Sequence, residues 1–170
     1  MNWKKLFESF LKRDHANYPK HYIAQHLSKL TLYEVTGSKN IETLHPQVKD
    51  RCEALIERME ALGKPIWISS CLRSFKDQDD LYAQGRTELG NIVTNAQGGQ
   101  SYHNYGLAFD AVFKDFNWNP PSEDWWEILG EEGKKLGLEW GGDWSGFRDR
   151  PHFEWHQGFT WNDLRPYFIK

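Results

Sequence analysis

The chain has only two cysteines in 170 residues, Cys52 and Cys71. Two cysteines cannot build a disulfide framework. Cys52 falls on the apolar face of a predicted helix and Cys71 at the end of a predicted strand, so two buried free thiols are expected. No apolar run approaches the roughly 18 residues of a membrane span. Near the N-terminus, Lys4 and Lys5 precede a few apolar positions, but Glu8 and Lys12-Arg13 interrupt them. A signal peptide needs an unbroken apolar stretch of about 7–15 residues. The expectation is synthesis in the cytoplasm without a recognisable secretion leader. There is no long block of like charge, no internal repeat and no low-complexity segment. The net charge of -3 and an isoelectric point near 6.2 give no general pull toward nucleic acid.

What the chain has is aromatic residues, 15% of the total, nine of them Trp, in a polar sequence of mean hydropathy -0.76. Trp stacks on sugars and lines grooves, but core and rim packing accounts for most of the nine. The length fits one domain with a real core. Residues 1–31 read as a helical extension and residues 32–170 as the main domain. In the extension, Trp3, Leu6, Phe7, Phe10 and Leu11 share one helix face, with Asn2 a fitting N-cap. A second short helix carries Tyr22, Ile23, Leu27 and Leu30. His15, His21 and His26 read there as solvated surface.

After an irregular lead-in over 34–45, Pro46 suits a first helical position. Val48, Cys52, Leu55, Ile56, Met59 and Leu62 make one apolar stripe that Gly63 and Pro65 stop. Ile66 to Cys71 reads as a strand. Ser74 with Asp77 resembles a capping box, opening a helix from about Phe75 to Gln84. Residues 86–100 read as a long exposed loop, a common lining for a site. Leu107 to Phe113 is a strand with Ala108, Asp110 and Val112 on one face. Ser122 can cap a helix to about Leu136, Gly141-Gly142 makes a bend, and Arg150 to Trp155 is a further strand. Thr160 with Asp163 caps a short last helix. The fold class is α+β, with helices packed on a small antiparallel sheet.

Chemistry concentrates in Ser101-Tyr102-His103-Asn104-Tyr105-Gly106-Leu107-Ala108-Phe109-Asp110. Asp110 lies inside an apolar run, where a carboxylate without a partner is very costly. Zinc shared with His103 and a distant third ligand would provide that partner, since catalytic zinc sites use three protein ligands and leave one position open. Third-ligand candidates are His152 and His156 in Asp149-Arg150-Pro151-His152-Phe153-Glu154-Trp155-His156. The Pro before His152 favours an extended backbone, which puts His152, Glu154 and His156 on one face. Asp149, three residues before His152, is placed to take a proton from the attacking water; its alternative is a turn Asp paired with Arg148 or Arg150. His156 reads as a supporting or surface His, and His45 as a helix-start residue.

Ser101-x-His103-x-x-Gly106-x-Ala108-x-Asp110 resembles the signature of peptidase family M15, the VanY/VanX-type zinc D,D-carboxypeptidases and L-alanyl-D-glutamate endopeptidases. Asp149-x-x-His152 is similar to the family's acid-x-x-His element, and Arg73 to its arginine. The resemblance runs from about Leu32 to the C-terminus. It implies one zinc ion held by His103, Asp110 and His152, with Asp149 as general base and Arg73 binding the carbonyl oxygen. It further implies a Hedgehog/D,D-peptidase-like fold and a peptidoglycan stem peptide as partner. Asp at 149, Val93-Thr94-Asn95 and Trp140-Gly141-Gly142-Asp143-Trp144 look most like the phage-endolysin and CwlK-like branch, which cuts L-Ala–D-Glu. A D,D- or L,D-carboxypeptidase is the alternative, and a non-catalytic zinc or glycan-binding module the second. Such an enzyme would act on the wall as a monomer, after holin-type release or lysis. Ser101 and Gly106 read as a tight turn that lets His103 and Asp110 converge. Gln78, Ser101, Tyr105 and Trp144 are candidate substrate contacts, with packing the competing role for Gln78, Tyr105 and Trp144. Cys71 stands where relatives often have Gly, and residues 1–31 have no family counterpart.

Overall fold

The computed structural model describes residues 38–167. The expected N-terminal helices, and the three histidines among them, lie outside the described residues.

The first helix, α1 (Pro46–Ala61), begins where expected. His45 is its N-cap, and the ring Nδ1 accepts the Gln47 N–H at 3.3 Å. Val48, Cys52, Leu55 and Met59 are fully buried along the stripe. Leu62 departs from the expectation and is exposed, because the helix ends at Ala61 and Leu62 serves as its C-cap. Helix α2 (Phe75–Ala83) opens on Ser74, whose hydroxyl accepts the Asp77 N–H at 2.9 Å. Helix α3 (Asp124–Lys135) starts one residue later than Ser122 alone implies. Glu123 is the N-cap, and the Ser122 hydroxyl accepts the Asp124 N–H at 3.3 Å. Helix α4 (Trp161–Leu164) carries the expected Thr160–Asp163 capping box. No helix among the described residues is long and apolar enough to cross a membrane.

Four strands form one antiparallel sheet in the order β1 (Ile66–Ser70), β2 (Ala108–Phe113), β4 (His152–Glu154), β3 (Glu139–Trp140). The two-residue β3 has no counterpart in the sequence reading. The register decides the chemistry. Asp110 on β2 stands opposite Ser70 on β1 and opposite His152 on β4, so the sheet makes Asp110 and His152 a cross-strand pair. A register shift between Ile68 and Ser70 re-aims the end of β1 toward that pair.

Helix α3 covers the β3–β4 side at very close range. A Cβ on Gly130 would overlap the Trp140 ring, and one on Gly133 the Phe153 ring. Phe153, fully buried, stacks on Phe109 of β2 at 5.5 Å. The residue between His152 and Glu154 is thus pinned into the core, and its two polar neighbours are pinned with it.

Candidate active site

His103 reaches the sheet from one turn of 3-10 helix, Tyr102–Tyr105. The Ser101 hydroxyl accepts the His103 N–H at 3.4 Å, and Gly106 ends the turn in the left-handed region at φ 67°. A side chain at Gly106 would be strained there and would crowd the Thr43 carbonyl. This is the tight turn expected from Ser101 and Gly106.

Three donor atoms converge. His103 Nε2 lies 3.1 Å from Asp110 Oδ1, His152 Nδ1 lies 3.1 Å from the same oxygen, and the two ring nitrogens are 3.2 Å apart. The far side of each ring is already committed. His103 Nδ1 is 2.6 Å from the Cys71 carbonyl oxygen, which can only accept, so Nδ1 carries the proton. His152 Nε2 is 2.9 Å from Glu154 Oε2, a carboxylate that fixes that ring in the same way. Two imidazole lone pairs and a carboxylate oxygen therefore face one point.

Such a donor set repels itself unless a cation sits in it. A tetrahedral ion with bonds of about 2.0–2.1 Å needs donor–donor edges of about 3.3 Å, close to the distances found. The residues present fit a zinc-type ion. Without one, a proton takes that place. Burial opposes charge on His152, but hydrogen bonds to Asp110 and Glu154 outweigh it and push the ring up to about 10. Burial likewise opposes charge on Asp110, yet the facing His103 and His152 hold its carboxyl well below the usual range.

His103, Asp110, His152, Asp149, Arg73, Ser101 and Trp144 all line one cavity of about 690 Å³. Arg73 flanks the triangle at its Asp110 corner, with Nη2 3.5 Å from Oδ2. Its guanidinium also donates to Gln78 Oε1 at 2.7 Å and to Ser70 Oγ at 3.0 Å. Asp149 sits where the chain enters β4, its N–H donating to the Gly141 carbonyl at 3.0 Å. A Cβ on Gly141 would strike the Asp149 carbonyl. Burial, followed by the charge of Asp110, raises the Asp149 carboxyl above its ordinary value. Its neighbouring arginines are engaged elsewhere: Arg148 with the Gly142 carbonyl at 2.7 Å and Arg150 with Glu123 at 2.6 Å.

Two candidate substrate contacts, Gln78 and Tyr105, are buried and take the packing role that competed for them. Gln78 is wholly buried and lies behind the wall; it accepts from Arg73 and donates to the Ala96 carbonyl at 2.8 Å, tying Arg73 to the 94–96 loop. Tyr105 is also buried, its hydroxyl donating to the Gly99 carbonyl at 2.7 Å and its ring packing edge-on to Phe75. His156 stands outside the triangle. It pairs with Glu139 at 2.9 Å and stacks under Tyr102 at 4.6 Å. The structure adds Glu154, for which the sequence holds one signal: a carboxylate two residues after a candidate ligand on a strand shares its face. It also adds Trp118 and Phe147, which line the cavity. Asn104 is a further addition; its amide donates to the Arg73 and Ser74 carbonyls at 3.0 and 3.1 Å.

Comparison with known proteins bears on this geometry. The D-alanyl-D-alanine carboxypeptidase model of family M15 matches residues 94–155, which span every cavity residue named above except Arg73. The peptidoglycan L-alanyl-D-glutamate endopeptidase CwlK of Bacillus subtilis (strain 168) is 49% identical over 123 residues, covering 65% of this chain and 72% of that protein. The chain belongs to peptidase family M15. A second relative, the L-alanyl-D-glutamate peptidase of Listeria phage A118, is 31% identical over 121 residues; the match covers 69% of this chain and 40% of the phage protein. The fold is shared with the vancomycin resistance D,D-pentapeptidase VanY from a VanB-type cassette, solved in complex with Zn(II). That likeness has a TM-score of 0.53 at 15% identity and covers 79% of this chain and 91% of the other.

Proposed function

We propose that this M15 chain is a zinc peptidase that hydrolyses the L-Ala–D-Glu bond of the peptidoglycan stem peptide. One observation carries the reading: two imidazole lone pairs and a carboxylate oxygen meet at 3.1–3.2 Å, with the far nitrogen of each ring already bonded. His103, Asp110 and His152 would hold one zinc ion, and their single negative charge would leave it net positive. Zinc in such a site supplies Lewis acidity toward water and toward a carbonyl oxygen. The identity to CwlK over 72% of that protein supports the choice of bond.

The chain's own groups supply the rest. Asp149, whose carboxyl is raised by burial and by the charge of Asp110, takes a proton from the attacking water on its carboxylate oxygen. It returns that proton to the leaving D-Glu nitrogen as the C–N bond breaks. Arg73 is preorganised by Gln78 and Ser70, so its guanidinium offers fixed donors to the carbonyl oxygen as negative charge grows there. All these groups come from one chain, consistent with action as a monomer. The substrate lies in the cell wall, and release on lysis or through a holin-type pore would bring the protein to it.

Mass spectrometry of muropeptides digested with and without a chelator tests the proposal. Release of the stem from sugar-linked L-Ala, abolished by the chelator and restored by zinc, is the expected result. Loss of a single terminal D-Ala would instead make the chain a carboxypeptidase. Wall binding without turnover at saturating zinc would make it a non-catalytic module.

A further inference from the structure

Eight large apolar residues are exposed among those described, and four of them, Val93, Trp118, Trp144 and Phe147, line the cavity that holds the donor triangle. Scattered exposed apolar residues need no explanation, but a concentration on one wall marks a ligand surface. Trp118 is 58% exposed, Phe147 40% and Trp144 37%. None is spent on the core. The Trp144 ring lies 5.1 Å from the His152 ring, so the aromatic surface starts at the His152 corner of the triangle, whereas Arg73 stands at the Asp110 corner.

The bond proposed above puts an unusual demand on the pocket. L-Ala is joined through a lactyl group to N-acetylmuramic acid. From the L-Ala carbonyl carbon to the sugar ring is six bonds, roughly 7 Å when extended. An enzyme that cuts this bond in intact wall must therefore accept a pyranose ring beside its metal centre. An enzyme that trims the far end of the stem need not. The peptide groups flanking the bond are a methyl and carboxylates, which do not call for three aromatic rings. A pyranose presents a face of weakly positive C–H bonds that lies flat on the negative face of an indole.

We propose that Trp144, Trp118 and Phe147 form a subsite for the N-acetylmuramoyl sugar on the acyl side of the scissile bond. This inference rests on the L-Ala–D-Glu reading and sets the polarity of the groove: sugar toward the His152 corner, D-Glu toward Arg73. Trp144 and Phe147 lie in the segment between Gly142 and Asp149, so the loop that would grip the sugar also carries the proposed base.

The test compares kcat/KM of the zinc-loaded full chain on two substrates: the disaccharide-linked tripeptide and the same tripeptide N-acetylated on L-Ala, so that L-Ala has no free amine in either. The wild type is expected to favour the disaccharide form by about tenfold or more through KM, the factor that about 1.4 kcal/mol supplies. Trp118→Ala and Phe147→Ala should each lower that ratio, and Trp118→Phe, which keeps a ring, should recover most of it. Zinc affinity by chelator competition reports whether each variant is folded. A wild-type ratio near one, or equal losses on both substrates in variants that still hold zinc, would overturn the sugar subsite while leaving the bond assignment standing. Failure of the wild type to cut either substrate between L-Ala and D-Glu would overturn the bond assignment and the subsite together.

Discussion

Glu154 offers a sharp test of how the centre is held. Its Oε2 lies 2.9 Å from His152 Nε2, and its side chain is only 10% exposed. In that geometry the carboxylate fixes which nitrogen of His152 faces the cavity and raises the basicity of that nitrogen. Removing such a partner typically costs 10–100-fold in metal affinity, or about 1.4–2.7 kcal/mol. Glu154→Gln keeps an acceptor but loses the charge, and should lie near the tenfold end. Glu154→Ala loses both and leaves a buried N–H unpaired, adding a stability cost of about 1–3 kcal/mol. The substitution also removes the 3.7 Å contact of Glu154 with His156, which keeps its closer 2.9 Å contact with Glu139. There is also a pH signature. Below about 10 the metal-free His152 holds a proton that zinc must displace, and Glu154 stabilises that proton as well. Glu154→Gln weakens proton and metal together while the His152 ring holds the proton in both proteins, so the measured loss should be smaller at neutral pH and grow as pH rises to about 10. Competition for zinc against a chelator of known affinity, with a melting curve for each variant, reads both effects. Unchanged affinity in folded Glu154→Gln and Glu154→Ala at both pH values would refute this role.

Other expectations follow from the same contacts. Asp149→Asn should bind zinc and fail to turn over, and wild-type kcat/KM should fall as pH drops through the raised Asp149 value. An acid whose folded value is raised carries an ionisation cost above that value, so metal-free Asp149→Asn should need more denaturant to unfold at neutral pH. That gain should close as pH falls below the ordinary aspartate value of 3.8. Arg73→Lys keeps the charge but cannot serve Gln78, Ser70 and a carbonyl oxygen with one ammonium, so kcat should drop roughly 10²–10³-fold with zinc affinity little altered. Gly133→Ala would push a methyl into the Phe153 ring and should cost about 1–3 kcal/mol in denaturant unfolding. Wild-type stability in that variant would contradict the close approach of α3 to the sheet.

Residues with strong periodicity were legible in advance. Helix α1 follows its stripe until Leu62, where the chain leaves the helix and the period stops predicting burial. Strand β2 and the Thr160 cap are local and were equally clear. Strand β3 was not, because two residues carry no period. His152 and His156 share an alternation face in the sequence, and only the ending of β4 at Glu154 separates them. Beyond that point the chain turns and His156 meets Glu139. Gln78 follows Arg73 by five residues and Tyr105 lies inside the motif, yet their positions behind the wall depend on how the 94–100 loop closes over α2. Trp118 and Phe147 belong to separate loops, and no local pattern shows that both reach one cavity.

The carbonyl that orients His103 belongs to Cys71, whose thiol plays no part in the bond. Burial pushes that thiol up to about 12, and Cys52 is pushed up as well, so neither offers a thiolate at neutral pH. The contact depends on where the chain runs after β1, not on which side chain is attached there. A change of side chain at position 71 leaves that acceptor in the chain. The centre is guarded against mutation at this point because the genetic code can change a side chain but cannot delete a peptide oxygen.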